Sequence, residues 1–149
     1  MENNMTKLTM LATLALLMPL AVSAQGTPGS HFIENWDLDA NGSVSLEEIT
    51  ERRGDVFVMF DQDENGRLDA AEYVLFNETR AADMENNAGG HGAGGGRMQE
   101  GLTLAFNDTN ADGEVSQEEF IANSAAWVAG VDRDGDGAIS AADFGPQGN

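Results

Sequence analysis

One pattern occurs four times along the chain: an acid, an Asp or Asn two and four residues later, a glycine sixth, an aliphatic residue eighth and an acid twelfth. The copies are DLDANGSVSLEE at 37–48, DQDENGRLDAAE at 61–72, DTNADGEVSQEE at 108–119 and DRDGDGAISAAD at 132–143. Oxygens packed this densely at alternating positions cannot enter an apolar core unpaired, so each segment either stays solvated or closes around a cation. The spacing suits the second outcome. Positions 1, 3 and 5 bring short side-chain oxygens together, position 7 offers its backbone carbonyl, position 9 acts directly or through water, and position 12 supplies a bidentate carboxylate. The glycine at position 6 permits the turn between the two halves of the loop. Solvated acidic turns can match once by chance; four matches in register make that reading untenable.

The candidate ligands follow by position. Loop 1 offers Asp37, Asp39, Asn41, the Ser43 carbonyl, Ser45 and Glu48; loop 2 offers Asp61, Asp63, Asn65, the Arg67 carbonyl, Asp69 and Glu72. Loop 3 offers Asp108, Asn110, Asp112, the Glu114 carbonyl, Ser116 and Glu119; loop 4 offers Asp132, Asp134, Asp136, the Ala138 carbonyl, Ser140 and Asp143. Carboxylate count predicts loop 2 as the tightest site, with acids at 1, 3, 9 and 12, and loops 1 and 3 as similar and weaker. In loop 4 the closing acid is an aspartate, one methylene shorter than glutamate, which predicts the weakest site and greater tolerance of Mg²⁺. Arg133 at its second position and the early stop at Gly145-Pro146 point the same way.

These motifs resemble those of the EF-hand family over residues 30–144. The resemblance implies an all-α fold of four helix–loop–helix units that binds Ca²⁺, with short strands pairing between loops. The position-8 residues Val44, Leu68, Val115 and Ile139 suit such strands. Helical spacing supports the units independently. Leu46, Ile49, Val56, Phe57 and Phe60 share one face, as do Phe120, Ile121, Ser124, Trp127, Val128 and Val131. Phe32, Ile33 and Trp36 form a stripe before loop 1, with Ser30 as a candidate N-cap. The aromatic residues are assigned to the core.

Loops 1 and 2 start 24 residues apart, as do loops 3 and 4, leaving 12 residues between one loop and the next. Two helices and a turn do not fit in that length. The spacing predicts one shared helix, of about 15 residues and roughly 22 Å, leaving one loop and entering the next. Adjacent loops then lie at opposite ends of a rod. Two rods packed antiparallel bring loop 1 to loop 4 and loop 2 to loop 3. Gly54 is the weak point of the first rod, since glycine costs about 1 kcal/mol relative to alanine in a helix; the second has no such break before Gly130. This spacing is similar to that of lanmodulins, periplasmic bacterial EF-hand proteins selective for lanthanides. Their loops carry proline at position 2 and mostly aspartate at position 9, whereas here position 2 is Leu38, Gln62, Thr109 and Arg133, and only Asp69 is acidic at position 9.

The long connection after loop 2 reads as helix, linker, helix. Tyr73, Phe76 and Arg80 keep helical spacing, residues 88–96 form a Gly-rich linker, and Met98, Leu102, Ala105 and Phe106 resume a stripe. His91 in the linker has no partner His or Cys and reads as solvated. The division is then residues 25–87 with hands 1 and 2, and 97–149 with hands 3 and 4, packed as one domain.

At the start of the chain, Lys7 precedes an apolar stretch from Leu8 to Val22, and Val22-Ser23-Ala24 fits a cleavage site. Residues 1–24 read as a secretory signal peptide, too short and interrupted to anchor the chain in a membrane. Export to a bacterial periplasm is expected. The 26 acidic and 7 basic residues lose only Glu2 and Lys7 on cleavage, so the net charge stays at −19. Nucleic acid and anionic membranes repel such a chain, and folding should depend on cations that neutralise the carboxylate clusters. With no cysteine, disulfides, thiolate sites and cysteine nucleophiles are excluded. No His-carboxylate, Ser-His or phosphate-loop arrangement stands outside the loops, which argues against an enzyme. The expected function is Ca²⁺ binding as a buffer, a sensor or a calcium-stabilised interaction module with an unidentified protein target. The alternative is lanthanide binding. A dockerin-like module is disfavoured, because dockerins carry two such loops.

Overall fold

A computed structural model describes residues 27–86 and 95–145. The expected signal peptide, His91 and most of the Gly-rich linker lie outside the described residues. Helix α1 (Ser30–Trp36) enters loop 1, and strand β1 (Ser43–Val44) leads to helix α2 (Leu46–Phe60). Strand β2 (Arg67–Leu68) precedes helix α3 (Ala70–Asn86). Two short helices, α4 (Gly95–Glu100) and α5 (Leu104–Asn107), bring the chain to loop 3. Then follow strand β3 (Val115–Ser116), helices α6 (Gln117–Ala122) and α7 (Ser124–Val131), strand β4 (Ile139–Ser140) and a 3-10 turn at Ala141–Asp143.

The first shared helix forms as the spacing predicts. Ser45 caps α2 by accepting from the Glu48 N–H, while Glu48 reaches back to the Ser45 N–H. Glu47 and Glu48 also place negative charge against the positive end of the helix dipole. Gly54 does not interrupt α2. It faces α6, where a Cβ would sit in ordinary contact with Ile121 Cδ1 at 3.8 Å. The interruption falls in the second rod instead, at Asn123, so the expected unbroken helix over 118–131 is corrected to two. Asn123 keeps right-handed helical backbone at φ −77° and ψ 0°. Its side-chain amide donates to the Phe106 and Asn107 carbonyls at 3.3 and 3.4 Å, where α5 ends. A residue with modest helix propensity is thus held by a partner outside its own helix.

Because each rod carries a loop at either end, the strands pair across the halves. β1 pairs antiparallel with β4, setting Val44 opposite Ile139, and β2 with β3, setting Leu68 opposite Val115. All four position-8 side chains are fully buried. Each contributes about 1.5–3 kcal/mol of hydrophobic stabilisation. Aromatic rings continue the core: Phe57 of α2 meets Phe120 of α6 at 5.9 Å, Phe60 of α2 meets Phe76 of α3 at 4.5 Å, and Trp36 of α1 meets Trp127 of α7 edge-on at 5.0 Å.

Several local expectations change. Leu46 is exposed and Val56 only half-buried, so α2 turns a narrower stripe inward than the spacing suggested. Ser30 is the first residue of α1 rather than its cap. The cap is Gly29 at φ 81°, where a Cβ would collide with the Phe144 ring. Gly95 and Gly96 belong to α4 rather than to a linker. Ala105 is exposed, because α4 and α5 are separate helices and the stripe through Met98 and Leu102 stops between them.

Candidate metal centre

Each loop is shaped by its own carboxylates acting on its own backbone N–H groups. In loop 1, Asp37 Oδ1 accepts from the Asn41 N–H at 3.2 Å and Oδ2 from the Gly42 N–H at 2.7 Å. Asp39 Oδ1 accepts from the same Asn41 N–H at 3.1 Å, and Asn41 Oδ1 from the Ser43 N–H at 2.9 Å. Asp61, Asp63 and Asn65 repeat this set in loop 2, and Asp108, Asn110 and Asp112 repeat it in loop 3. Loop 4 differs in one bond: Asp132 Oδ1 accepts from Gly135 rather than from position 5. The turn needs left-handed backbone at two places. Position 6 is glycine throughout, at φ 80–91°. Position 4 is Ala40, Glu64 and Ala111 at φ 56–59°, and Gly135 at φ 76° in loop 4.

The closing acid ties the ends of each loop together. Glu48 Oε1 accepts from the N–H groups of Leu38 and Asp39, and its Oε2 from the N–H and hydroxyl of Ser45. Glu119 is held in the same way, with the Thr109 hydroxyl added at 2.9 Å. Donation from the Ser116 N–H and hydroxyl, helped by Thr109 and Asn110, holds the Glu119 carboxyl down at about 2. Glu48 is lowered by the same cause, chiefly the Ser45 N–H. Glu72 accepts from Gln62 and Asp69 at 2.7 and 3.0 Å. The position-9 residues Ser45 and Ser116 therefore also cap the outgoing helix, a second task that the spacing did not reveal.

Ligand atoms of Asp37, Asp39 and Glu48 lie within 4.8 Å of one another, as do those of Asp61, Asp63 and Glu72, and those of Asp132, Asp134 and Asp136. Hard oxygen donors at these separations fit Ca²⁺, which takes six to eight oxygens. In loop 4 the convergent acids are positions 1, 3 and 5. Asp143 stays outside that group and is fully buried, accepting from the N–H groups of Arg133 and Ser140 at 2.7 Å each. The tight 3-10 turn brings this shorter side chain close enough to make the bonds that glutamate makes from a full helix. Crowding shows in the charge of Asp134: the Asp136 N–H lowers its pKa, but lost hydration and the carboxylates of Asp136, Asp143 and Asp132 together raise it. Loop 3 has asparagine at position 3, so its carboxylates are Asp108, Asp112 and Glu119.

Two arginines enter this architecture in ways the sequence reading missed. Arg67, assigned only a carbonyl role, sends its guanidinium to Glu114 at 3.1 Å and Asp112 at 3.5 Å, across to loop 3. Arg53 is fully buried below the loops and forms no ion pair among the described residues. Burial lowers its pKa to about 10, which leaves it charged at neutral pH. Four hydrogen bonds and the ring faces of Phe120 and Trp127, at 4.0 and 5.1 Å, offset the lost hydration. An arginine at helical spacing with Ile49 and Phe57 on α2 was the available signal.

Helix–loop–helix units whose loops gather carboxylates around a common point define a cation-binding protein. The family description "EF hand" matches residues 54–76, 105–122 and 131–145, which contain loops 2, 3 and 4. These matches and the acidic clusters support an EF-hand, calcium-binding character for the chain. Loop 1 lies outside the matched segments but repeats the hydrogen bonds of loop 2. No curated protein matches the chain at a significant level.

Proposed function

We propose that this chain is an exported protein that binds Ca²⁺ at up to four loops, through the ligands at positions 1, 3, 5, 7, 9 and 12 of each, and serves as a buffer or calcium-stabilised module. The carrying observation is that in each of loops 1, 2 and 4 three acidic side chains of that loop bring ligand atoms within 4.8 Å of one another. Loop 2 binds most tightly and loop 4 most weakly, with Mg²⁺ competing best at loop 4. Export rests on Lys7, the apolar stretch Leu8–Val22 and the small residues before Gln25. Among the described residues, no helix is long and apolar enough to cross a membrane. Calorimetric titration of the chain from Gln25 onward with Ca²⁺, Mg²⁺ and La³⁺ tests the metal reading. Micromolar or tighter Ca²⁺ binding against millimolar Mg²⁺ supports it, and a preference for La³⁺ over Ca²⁺ by several orders of magnitude replaces it with lanthanide binding. Mass spectrometry of a periplasmic fraction, expected to give an N-terminus at Gln25, tests export.

One observation favours a second reading, a calcium sensor that opens an apolar surface on binding. A cavity of about 370 Å³ is lined by Phe32, Trp36, Met59, Phe76, Met98 and Trp127 among others. Its size and apolar walls match those of small binding sites. Fluorescence of an apolar dye that rises on Ca²⁺ addition would favour this reading over a buffer, and an unchanged signal would favour the buffer.

A further inference from the structure

Loop 3 is entered by the weakest support among the four loops. Loops 1, 2 and 4 are entered by α1, α2 and α7, of 7, 15 and 8 residues, whereas α5 has only four, a length marginal by itself. The residue before position 1 is Trp36, Phe60 or Val131 in those three loops, which places an apolar anchor in or against the core. In loop 3 it is Asn107. On the far side, α6 ends after six residues.

We propose that Arg53 is the positioning residue of loop 3, a buried clamp through which the shared helix of loops 1 and 2 fixes where loop 3 begins and ends. Arg53 Nη2 donates to Asn107 Oδ1 at 2.6 Å, one residue before Asp108 at position 1. Nε and Nη2 both donate to the Phe120 carbonyl, at 2.9 and 2.6 Å, one residue after Glu119 at position 12. Nη1 donates to the Gly101 carbonyl at 3.0 Å, which also accepts from Asn107 Nδ2 at 3.0 Å, so Asn107 is gripped from two sides. A planar guanidinium holds these acceptors in one fixed geometry, which a lysine ammonium cannot reproduce. The first and last ligands of loop 3 are therefore held at their spacing by the other half of the chain. Groups that orient metal ligands from behind change affinity by about 10–100-fold when removed. The role rests on the reading of loop 3 as a cation site.

The N–H groups of Gly42, Gly66, Gly113 and Gly137 each donate to the position-1 aspartate of their own loop, at 2.7, 2.9, 3.0 and 2.8 Å, and so report the four loops separately. In a Ca²⁺ titration of glycine-labelled protein followed by NMR, Arg53→Lys is expected to raise the midpoint at Gly113 about tenfold. Gly42 and Gly137, in the other strand pair, should hold their midpoints. Asn107→Ala removes one arm of the clamp while leaving Arg53 in place, and should shift Gly113 in the same sense; it carries the test if Arg53→Lys does not fold. Four midpoints moving together would make Arg53 a general stabiliser and overturn the positioning role, as would an unmoved Gly113. If Gly113 in the unaltered protein ignores Ca²⁺ while the other three respond, loop 3 is not a cation site and the positioning role falls with it.

Discussion

Position 4 of each loop sits in left-handed backbone, and loops 1 and 3 place alanines there, Ala40 at φ 58° and Ala111 at φ 59°. An L-residue with a Cβ costs roughly 1–2 kcal/mol in this region, and asparagine relieves part of the cost by local hydrogen bonding. Both alanines are exposed, so a larger polar side chain disturbs no packing. Ala40→Asn and Ala111→Asn should each stabilise the metal-free fold by about 0.5–1 kcal/mol. Glycine would gain less, because its unfolded-state entropy takes back about 0.4–1 kcal/mol. The two loops belong to different strand pairs, so the double variant should add to about 1–2 kcal/mol, or roughly 3–8 °C in Tm for a chain of this size. Loop 4 supplies the opposite control: Gly135 lies at φ 76°, and Gly135→Ala should cost about 1 kcal/mol. Urea and thermal unfolding in calcium-depleted buffer, followed by circular dichroism, measure all three without metal linkage. Asparagine variants no more stable than the parent, with Gly135→Ala neutral, would refute the argument from backbone strain.

Arg67→Gln removes a positive charge about half exposed and 3.5 Å from Asp112. Ca²⁺ affinity at loop 3 should rise by up to about fivefold at low ionic strength, the range of a surface ion pair. The gain should vanish in molar salt, and its persistence there would exclude electrostatics as the cause. Glu72→Gln replaces a carboxylate that accepts from Gln62 and Asp69, and should lower metal-free stability by about 1–2 kcal/mol while weakening loop 2; a change in Ca²⁺ affinity without any loss of stability would contradict the loop-closing role. The Glu119 carboxyl, held at about 2 in the folded protein against an ordinary value of 4.5, adds stability in full above pH 4.5 and loses it as pH falls through 2. The metal-free protein should therefore lose stability faster than Glu119→Gln between pH 4.5 and 2, and parallel urea midpoints across that window would reject the assignment. Asp134, raised by its neighbours, works in the opposite sense, because protonation relieves its repulsion.

The sequence by itself determined the loops and most of the topology. Loop positions are legible because ligand chemistry ties residue type to place: an aspartate at 1, an aspartate or asparagine at 3, glycine at 6, a branched aliphatic at 8. The pairing of Val44 with Ile139 and of Leu68 with Val115 was legible for a different reason. A connection of 12 residues leaves room for one rod, and rod length is a matter of rise per residue rather than of side-chain detail. Tertiary structure decided where those rods are whole. Gly54, the weaker helix former, stays helical because α2 is capped at its start and packed along its length, while Asn123 interrupts the second rod because the end of α5 offers its amide two carbonyls. Nor could local pattern show that Arg53 abandons carboxylates for Asn107, Gly101 and Phe120. Those acceptors lie 48 to 67 residues away along the chain, and only packing the two halves brings them around one buried charge.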